Sequence, residues 1–176
     1  AKGRSIANLL ELQSGEKVAA LIRVLGQMSP AKEDVTWEQS LFVFFATRKG
    51  TVKKTPLSGF ANVRRGGIIA IGIDKGDLLI DVKLTTGQDE MVMITNKGMS
   101  IRFPEEDVRS MGRPAAGVRG IRLTKGDVVV ALATVDQTAT LLAAGENGIG
   151  KRTGFDEYRR QSRGGKGVIT MRTTGR

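Results

Sequence analysis

Apolar positions in this chain fall into short runs, each ending at a turn residue. Leu41–Ala46, Met91–Ile94 and Leu141–Ala144 are followed by the pairs Lys49-Gly50, Lys97-Gly98 and Asn147-Gly148. Those glycines lie 48 and then 50 residues apart, the signature of an internal repeat. An offset of 50 superposes Arg102 on Arg152, Arg109 on Arg159, Arg113 on Arg163 and Gly117 on Gly167. The same offset carries Gly67 onto Gly117 and Lys75-Gly76-Asp77 onto Lys125-Gly126-Asp127. The two-residue difference in the first unit falls between Pro56 and Gly67, in a stretch that reads as a loop.

Each unit therefore has one grammar: an apolar run, an Xaa-Gly turn, a basic strand ending near Pro or Gly, a basic loop, and two β-branched runs split by Lys-Gly-Asp. Ile68–Ile71 and Val128–Val130 are short, β-branched and bounded by turn residues, which predicts strands rather than helices. Four short strands per ~50 residues is the period of a propeller blade, whose sheet buries its face only by stacking on a neighbour. The expected organisation is one all-β, propeller-like domain over 1–176, with units at 1–40 (partial), 41–90, 91–140 and 141–176 (partial). Ile6–Ile22 reads as the closing part of an earlier unit, because Gly15-Glu16-Lys17-Val18 resembles Gly126-Asp127-Val128-Val129. Ser5–Gln13 taken alone also fits an amphipathic helix, and Gly26–Ser40 reads as a linker.

Composition narrows the chemistry. The chain has 176 residues with no Cys and no His, which removes zinc fingers, thiol nucleophiles, Ser-His-Asp triads and His-ligated metals. The lack of Cys excludes a disulfide framework, which suits a reducing cytoplasm, and the apolar runs, far shorter than the ~20 residues a membrane span requires, predict a soluble protein. The absence of an initiating Met suggests a fragment or a processed piece.

Charge is unevenly placed. Lys and Arg number 28 against 18 Asp and Glu, a formal charge of +10. The segments Arg48–Arg65, Lys97–Arg122 and Asn147–Arg172 hold 19 of the bases and only 5 of the acids. A basic excess at one phase of every unit becomes one positive rim when units stack radially, an electrostatic footprint for a polyanion. Only eight aromatics occur, and Phe42, Phe44 and Phe45 sit in one apolar run, so stacking platforms for single strands are scarce. Duplex binding through backbone phosphates is the better fit, with little direct base reading. The candidate contacts are Lys49 and Lys97 at the turns; Lys53, Lys54, Arg102, Lys151 and Arg152 after them; and Arg64, Arg65, Arg113, Arg163 and Lys166 in the second basic loops.

Two motifs invite other readings. Gly145–Lys151 matches the phosphate-loop spacing Gly-x4-Gly-Lys, but Arg152 stands where a Mg²⁺-binding Ser or Thr belongs, and the segment is also the turn of the third unit. Gln161–Gly167 is a Gly-rich basic loop whose N–H groups could approach phosphate while Arg163 and Lys166 supply charge. It also reads as an ordinary inter-strand loop with Gly at positive φ.

Arg48–Thr55, Gly117–Leu123 and Asn147–Thr153 closely resemble the repeats of the C-terminal domain of DNA gyrase A, shared in weaker form by the matching polypeptide of topoisomerase IV. The resemblance implies a β-pinwheel: propeller-like blades that exchange strands and bend duplex DNA around the outer rim. It further implies a non-catalytic, bacterial, cytoplasmic and nucleoid-associated module. In the parent ATP-dependent type II topoisomerase, ATP and Mg²⁺ act elsewhere, and the partners are the rest of gyrase A, gyrase B and duplex DNA. The family's complete domain has about six blades, and its Gln-Arg-Arg-Gly-Gly-Lys-Gly box belongs to the first. Gln161–Gly167 matches that box except at Ser162, in a later unit, so it reads as a secondary copy. Tyr158, the only Tyr, lies in a repeat loop and carries no cleavage role. The alternatives are a topoisomerase IV-type domain, a propeller scaffold for an acidic protein partner, and a phosphate-loop enzyme.

Overall fold

The computed structural model describes residues 3, 10–24, 41–62, 64 and 66–172. The Gly26–Ser40 linker, most of Ser5–Gln13 and the candidate Arg65 lie outside these residues. Among the described residues there are ten strands and no α-helix, and no helix is long and apolar enough to cross a membrane. The strands are β1 (Phe42–Thr47), β2 (Thr51–Pro56), β3 (Leu79–Thr85), β4 (Glu90–Thr95), β5 (Met99–Pro104), β6 (Val118–Arg119), β7 (Val129–Thr134), β8 (Thr140–Ala144), β9 (Gly150–Gly154) and β10 (Val168–Ile169).

Each apolar run and the basic strand after it form an antiparallel hairpin. Phe44 faces Lys54 across β1–β2, Val92 faces Arg102 across β4–β5, and Leu142 faces Arg152 across β8–β9. The turn glycines Gly50, Gly98 and Gly148 have φ of 86, 75 and 78°, a conformation that a Cβ disfavours. The sheets then cross unit boundaries. Their orders are β3-β1-β2-β6 and β10-β5-β4-β7, with β8-β9 as a third, two-stranded sheet. Thus β6, from the second unit, completes the first blade, and β10, from the third, completes the second. Successive blades are locked by exchanged backbone.

The exchange requires glycine at one place. A Cβ on Gly117 would lie 2.4 Å from the Val52 carbonyl oxygen, and one on Gly167 would lie 2.1 Å from that of Ser100; both residues have positive φ, 107 and 77°. These are equivalent positions just ahead of β6 and β10, so the short strands can approach the hairpin only without a side chain there.

Both faces of the first two hairpins are covered, which explains why their apolar runs are continuous instead of alternating. Phe44 and Ala46 join Val52, Met91, Met93, Ile101 and Phe103 in the core between the first and second blades, with Phe44 and Phe103 ring centroids 6.4 Å apart. Val43 and Phe45 face the other way, with Leu57 and Val82, and Ala20, Ile22 and Val24 pack on that side. Val92 turns toward Phe155 and Tyr158 of the third unit.

One sequence expectation is adjusted. Ile68–Ile71 is not a strand, although its equivalents contain β6 and β10. Those two-residue strands exist because β2 and β5 of the preceding blade offer them an edge, and among the described residues no strand stands in that place for Ile68. Residues 10–13 carry no helix; instead the Glu16 N–H donates to the Gln13 carbonyl (3.0 Å) with Gly15 at φ 87°. That is the geometry of the two Lys-Gly-Asp turns, in which the Asp77 N–H donates to the Asp74 carbonyl and that of Asp127 to Thr124.

Candidate nucleic-acid interface

At each described blade boundary a basic loop lies against the preceding unit in the same way. The Met111 N–H donates to the Lys54 carbonyl and the Gln161 N–H to that of Arg102, both at 2.8 Å. Further along, the Gly72 N–H donates to the Ala115 carbonyl and that of Arg122 to Gly165. The loops that carry Arg113 and Arg163 are therefore fixed to their neighbours by backbone bonds and recur in register.

The candidate cations divide into three groups. Lys151, Arg152, Lys166 and Arg64 are exposed. Lys49 and Lys97 are exposed but tethered: their ammonium groups donate to the carbonyls of Lys75 (2.9 Å) and Lys125 (2.6 Å), while their N–H groups donate to Asp77 and Asp127. An ammonium has three donors, so one tether leaves two for an anion.

Lys53, Lys54 and Arg102 depart from the sequence expectation, because their charged ends turn inward. Lys53 is fully buried, its Nζ donating to the Ala70 carbonyl (2.6 Å) and to that of Arg113, with the ammonium 5.4 Å from the Phe45 ring centroid. Burial, and secondarily the Arg113 charge, push its pKa down from 10.5 to about 8. Lys54 lies over the Phe42 ring at 5.0 Å and donates to the Glu105 carbonyl at 3.1 Å. Arg102 occupies the equivalent place one blade on: its Nη1 donates to the Phe155 carbonyl (2.6 Å) and its Nε to Glu90 (2.6 Å). Glu90 also pairs with Arg160 at 3.2 Å. The second cation of each hairpin is thus an inter-blade clamp wherever a following blade supplies the carbonyl. Lys151 and Arg152 stand at the same positions on β9, which pairs only with β8 among the described residues, and remain exposed.

The Gly-rich loop is also used differently from the expectation. The Gly164 N–H donates to the Gly120 carbonyl at 2.6 Å, so it is not open to phosphate. Arg163 donates from Nε to the Asp107 carbonyl (2.7 Å) and from Nη1 to the Arg119 carbonyl (3.1 Å). Lys166 is the exposed cation of that loop. The Gly145–Lys151 motif is a hairpin turn, closed by Gly145 N–H to the Ile149 carbonyl (2.7 Å), and it leads into strand β9 instead of the helix N-terminus that makes a phosphate cradle. Tyr158 is buried against Phe155, with ring centroids 6.2 Å apart. Lys75 and Lys125, exposed beside the tethered Lys49 and Lys97, are absent from the sequence candidates; the repeated Lys-Gly-Asp turn is the signal that points to them.

Hairpin blades completed by a strand from the following unit, with a cationic loop at each junction, define an all-β pinwheel of the propeller class. The family model of the DNA gyrase C-terminal domain, beta-propeller, matches residues 42–86, 89–136 and 139–176, and the chain belongs to that family. It is 44% identical over 178 residues to DNA gyrase A of Haloquadratum walsbyi, covering 100% of this chain and 20% of that protein. Against DNA gyrase A of Klebsiella oxytoca the identity is 45% over 176 residues, covering 100% and 19%. The chain thus spans about a fifth of the length of these relatives. Among solved structures, the C-terminal domain of DNA topoisomerase IV superposes with a TM-score of 0.82 at 28% identity, covering 95% of this chain and 49% of that one. A DNA gyrase A C-terminal domain superposes at 0.80 with 23% identity, covering 96% and 53%, a likeness of fold.

Proposed function

We propose that this chain is a non-catalytic duplex-DNA-binding module that bends DNA around its cationic loops within a gyrase-type topoisomerase. The observation that carries the reading is the recurrence of a basic loop, held by the same backbone bonds, at successive blade boundaries. A single basic loop is ordinary solvated surface; loops repeated at a fixed interval along a stack present charge along a path, as a phosphate backbone does. The relatives' name, DNA gyrase A, supports the same reading. In the holoenzyme the bent segment is presented to strand-passage elements of the rest of gyrase A and of gyrase B, which use ATP to introduce negative supercoils. The module itself needs no cofactor for this role, and its setting is the nucleoid.

A topoisomerase IV-type domain is the second reading, favoured by the superposition at TM-score 0.82. Both readings require phosphate contacts. Of the candidates, Lys49, Arg64, Lys97, Arg113, Lys151, Arg152 and Lys166 keep donors free for an anion. Seven such contacts give a slope of log affinity against log salt of about −6. A salt titration of the chain on unrelated duplexes tests this. Equal, salt-steep affinities support the reading, and a flat salt response with preference for an acidic protein surface replaces it with the scaffold alternative.

A further inference from the structure

At one repeat position the two described blade boundaries carry buried side chains of opposite character. Lys53 on β2 and Ile101 on β5 occupy the same repeat position, and both have no exposed surface. At the boundary built on Ile101, the next unit's Arg163 folds back and gives guanidinium N–H donors to the Asp107 and Arg119 carbonyls. At the boundary built on Lys53, the ammonium grips the backbone carbonyl of Arg113 and repels its side chain. The Arg113 guanidinium makes no hydrogen bond or ion pair among the described residues, although Arg113 is the repeat equivalent of Arg163.

Arg113 instead lines a cleft of about 550 Å³ together with Arg64, Asn62, Gly67, Ile69 and Pro114. Among the described residues no carboxylate lines it. Two guanidinium groups at one concavity, with a buried ammonium holding one wall, leave positive charge without a counter-charge. A guanidinium presents a planar fork of donors that matches phosphate oxygens. The cleft also sits between two consecutive basic loops, on the path a backbone would follow.

Building on the duplex-binding reading above, we propose that the cleft between Arg64 and Arg113 seats a backbone phosphate of the bound duplex. Arg113 is its ligand and Lys53 is a positioning residue, whereas Arg163 is a structural clamp that contacts no DNA. The buried Lys or Ile of the preceding hairpin thus decides which arginine of the repeat faces the nucleic acid. Replacing Lys53 with the residue of the second blade removes the repulsion and lets Arg113 retract toward backbone carbonyls, as Arg163 does.

The test uses the full 176-residue chain, a duplex of arbitrary sequence and a salt series read by fluorescence anisotropy. R113Q makes the slope shallower by about one and lowers low-salt affinity roughly tenfold. K53I reproduces that change, and K53I/R113Q adds nothing to it, because both act at one phosphate. R163Q lowers the melting temperature and leaves the slope unchanged. R113K, which keeps the charge but not the fork, holds the slope and weakens binding severalfold, and it remains informative where R113Q folds poorly. A slope and affinity unchanged by R113Q, or a slope changed equally by R163Q, overturns the assignment while duplex binding stands. Absence of salt-steep binding by the unmodified chain overturns both readings together.

Discussion

Arg102 and Glu90 form a half-buried pair on one face of the second hairpin, and the same guanidinium reaches the Phe155 carbonyl of the next unit at 2.6 Å. One blade earlier, Lys54 over Phe42 holds the equivalent place and donates to the Glu105 carbonyl. The chemistry of the contact has changed from cation–π to ion pair, while its job of joining consecutive blades is kept. Where a following blade supplies the carbonyl, a cation at this position is a structural element, which separates it from the cations left exposed.

Arg102→Ala is therefore expected to destabilise the fold without altering the salt slope of duplex binding. Losing two charge-assisted contacts and leaving Glu90 and a carbonyl short of donors costs roughly 2–4 kcal/mol. Urea denaturation beside a salt titration checks both halves; a slope shallower by one in R102A would return Arg102 to the DNA surface.

Lys151→Ala with Arg152→Ala has the opposite signature. Both side chains are exposed on β9, so the double variant keeps the melting temperature and makes the slope shallower by about two, for every duplex sequence alike. A loss confined to one sequence contradicts contact through the backbone.

The buried ammonium of Lys53 gives stability a specific pH dependence. Its pKa in the folded chain is about 8, below the ordinary 10.5, so between those values the unfolded chain binds more protons and stability rises with pH. Below pH 8 both states are protonated and the full cost of burying the charge is present. The gain across the window is at most roughly 3 kcal/mol, and in Lys53→Met this component is absent. Denaturation between pH 7 and 10.5 on both chains measures it; equal rises in the two would assign the effect elsewhere.

Gly167→Ala is expected to uncouple the third unit from the second. The added methyl meets the Ser100 carbonyl and the backbone is in the left-handed region, so β10 cannot dock without a shift. A loss of about 2–4 kcal/mol follows, with faster amide exchange at β5 than at β1. Gly148→Ala, at a φ of 78° and with nothing within 4 Å of the added methyl, is the matched control.

The repeat, the hairpins and their turns were legible because each depends on local spacing. Gly50 and Gly98 needed only their own φ, and the apolar runs only their own composition. The strand exchange entered through the family resemblance, and no local pattern separates Ile68–Ile71 from its paired equivalent at Val118. The orientation of the cations was hidden for a related reason. Neighbouring residues of a strand point to opposite faces, so an isolated hairpin would bury at most one of Lys53 and Lys54. Here blades cover both faces, and the acceptors come from Ala70, Arg113 and Glu105, at 17, 60 and 51 residues' separation. The difference between Arg113 and Arg163 likewise depends on a buried residue of the preceding unit, which the matching offset made look equivalent.

Repeated loops that wrap duplex DNA with a net handedness shift its linking number when the circle is resealed. Binding the chain to relaxed circular DNA at low salt, resealing with a nicking-closing enzyme and resolving the topoisomers measures that directly. A linking-number shift is expected, growing with the amount of bound chain and disappearing as salt releases it. Saturating, salt-steep binding that leaves the linking number unchanged would contradict wrapping by this chain.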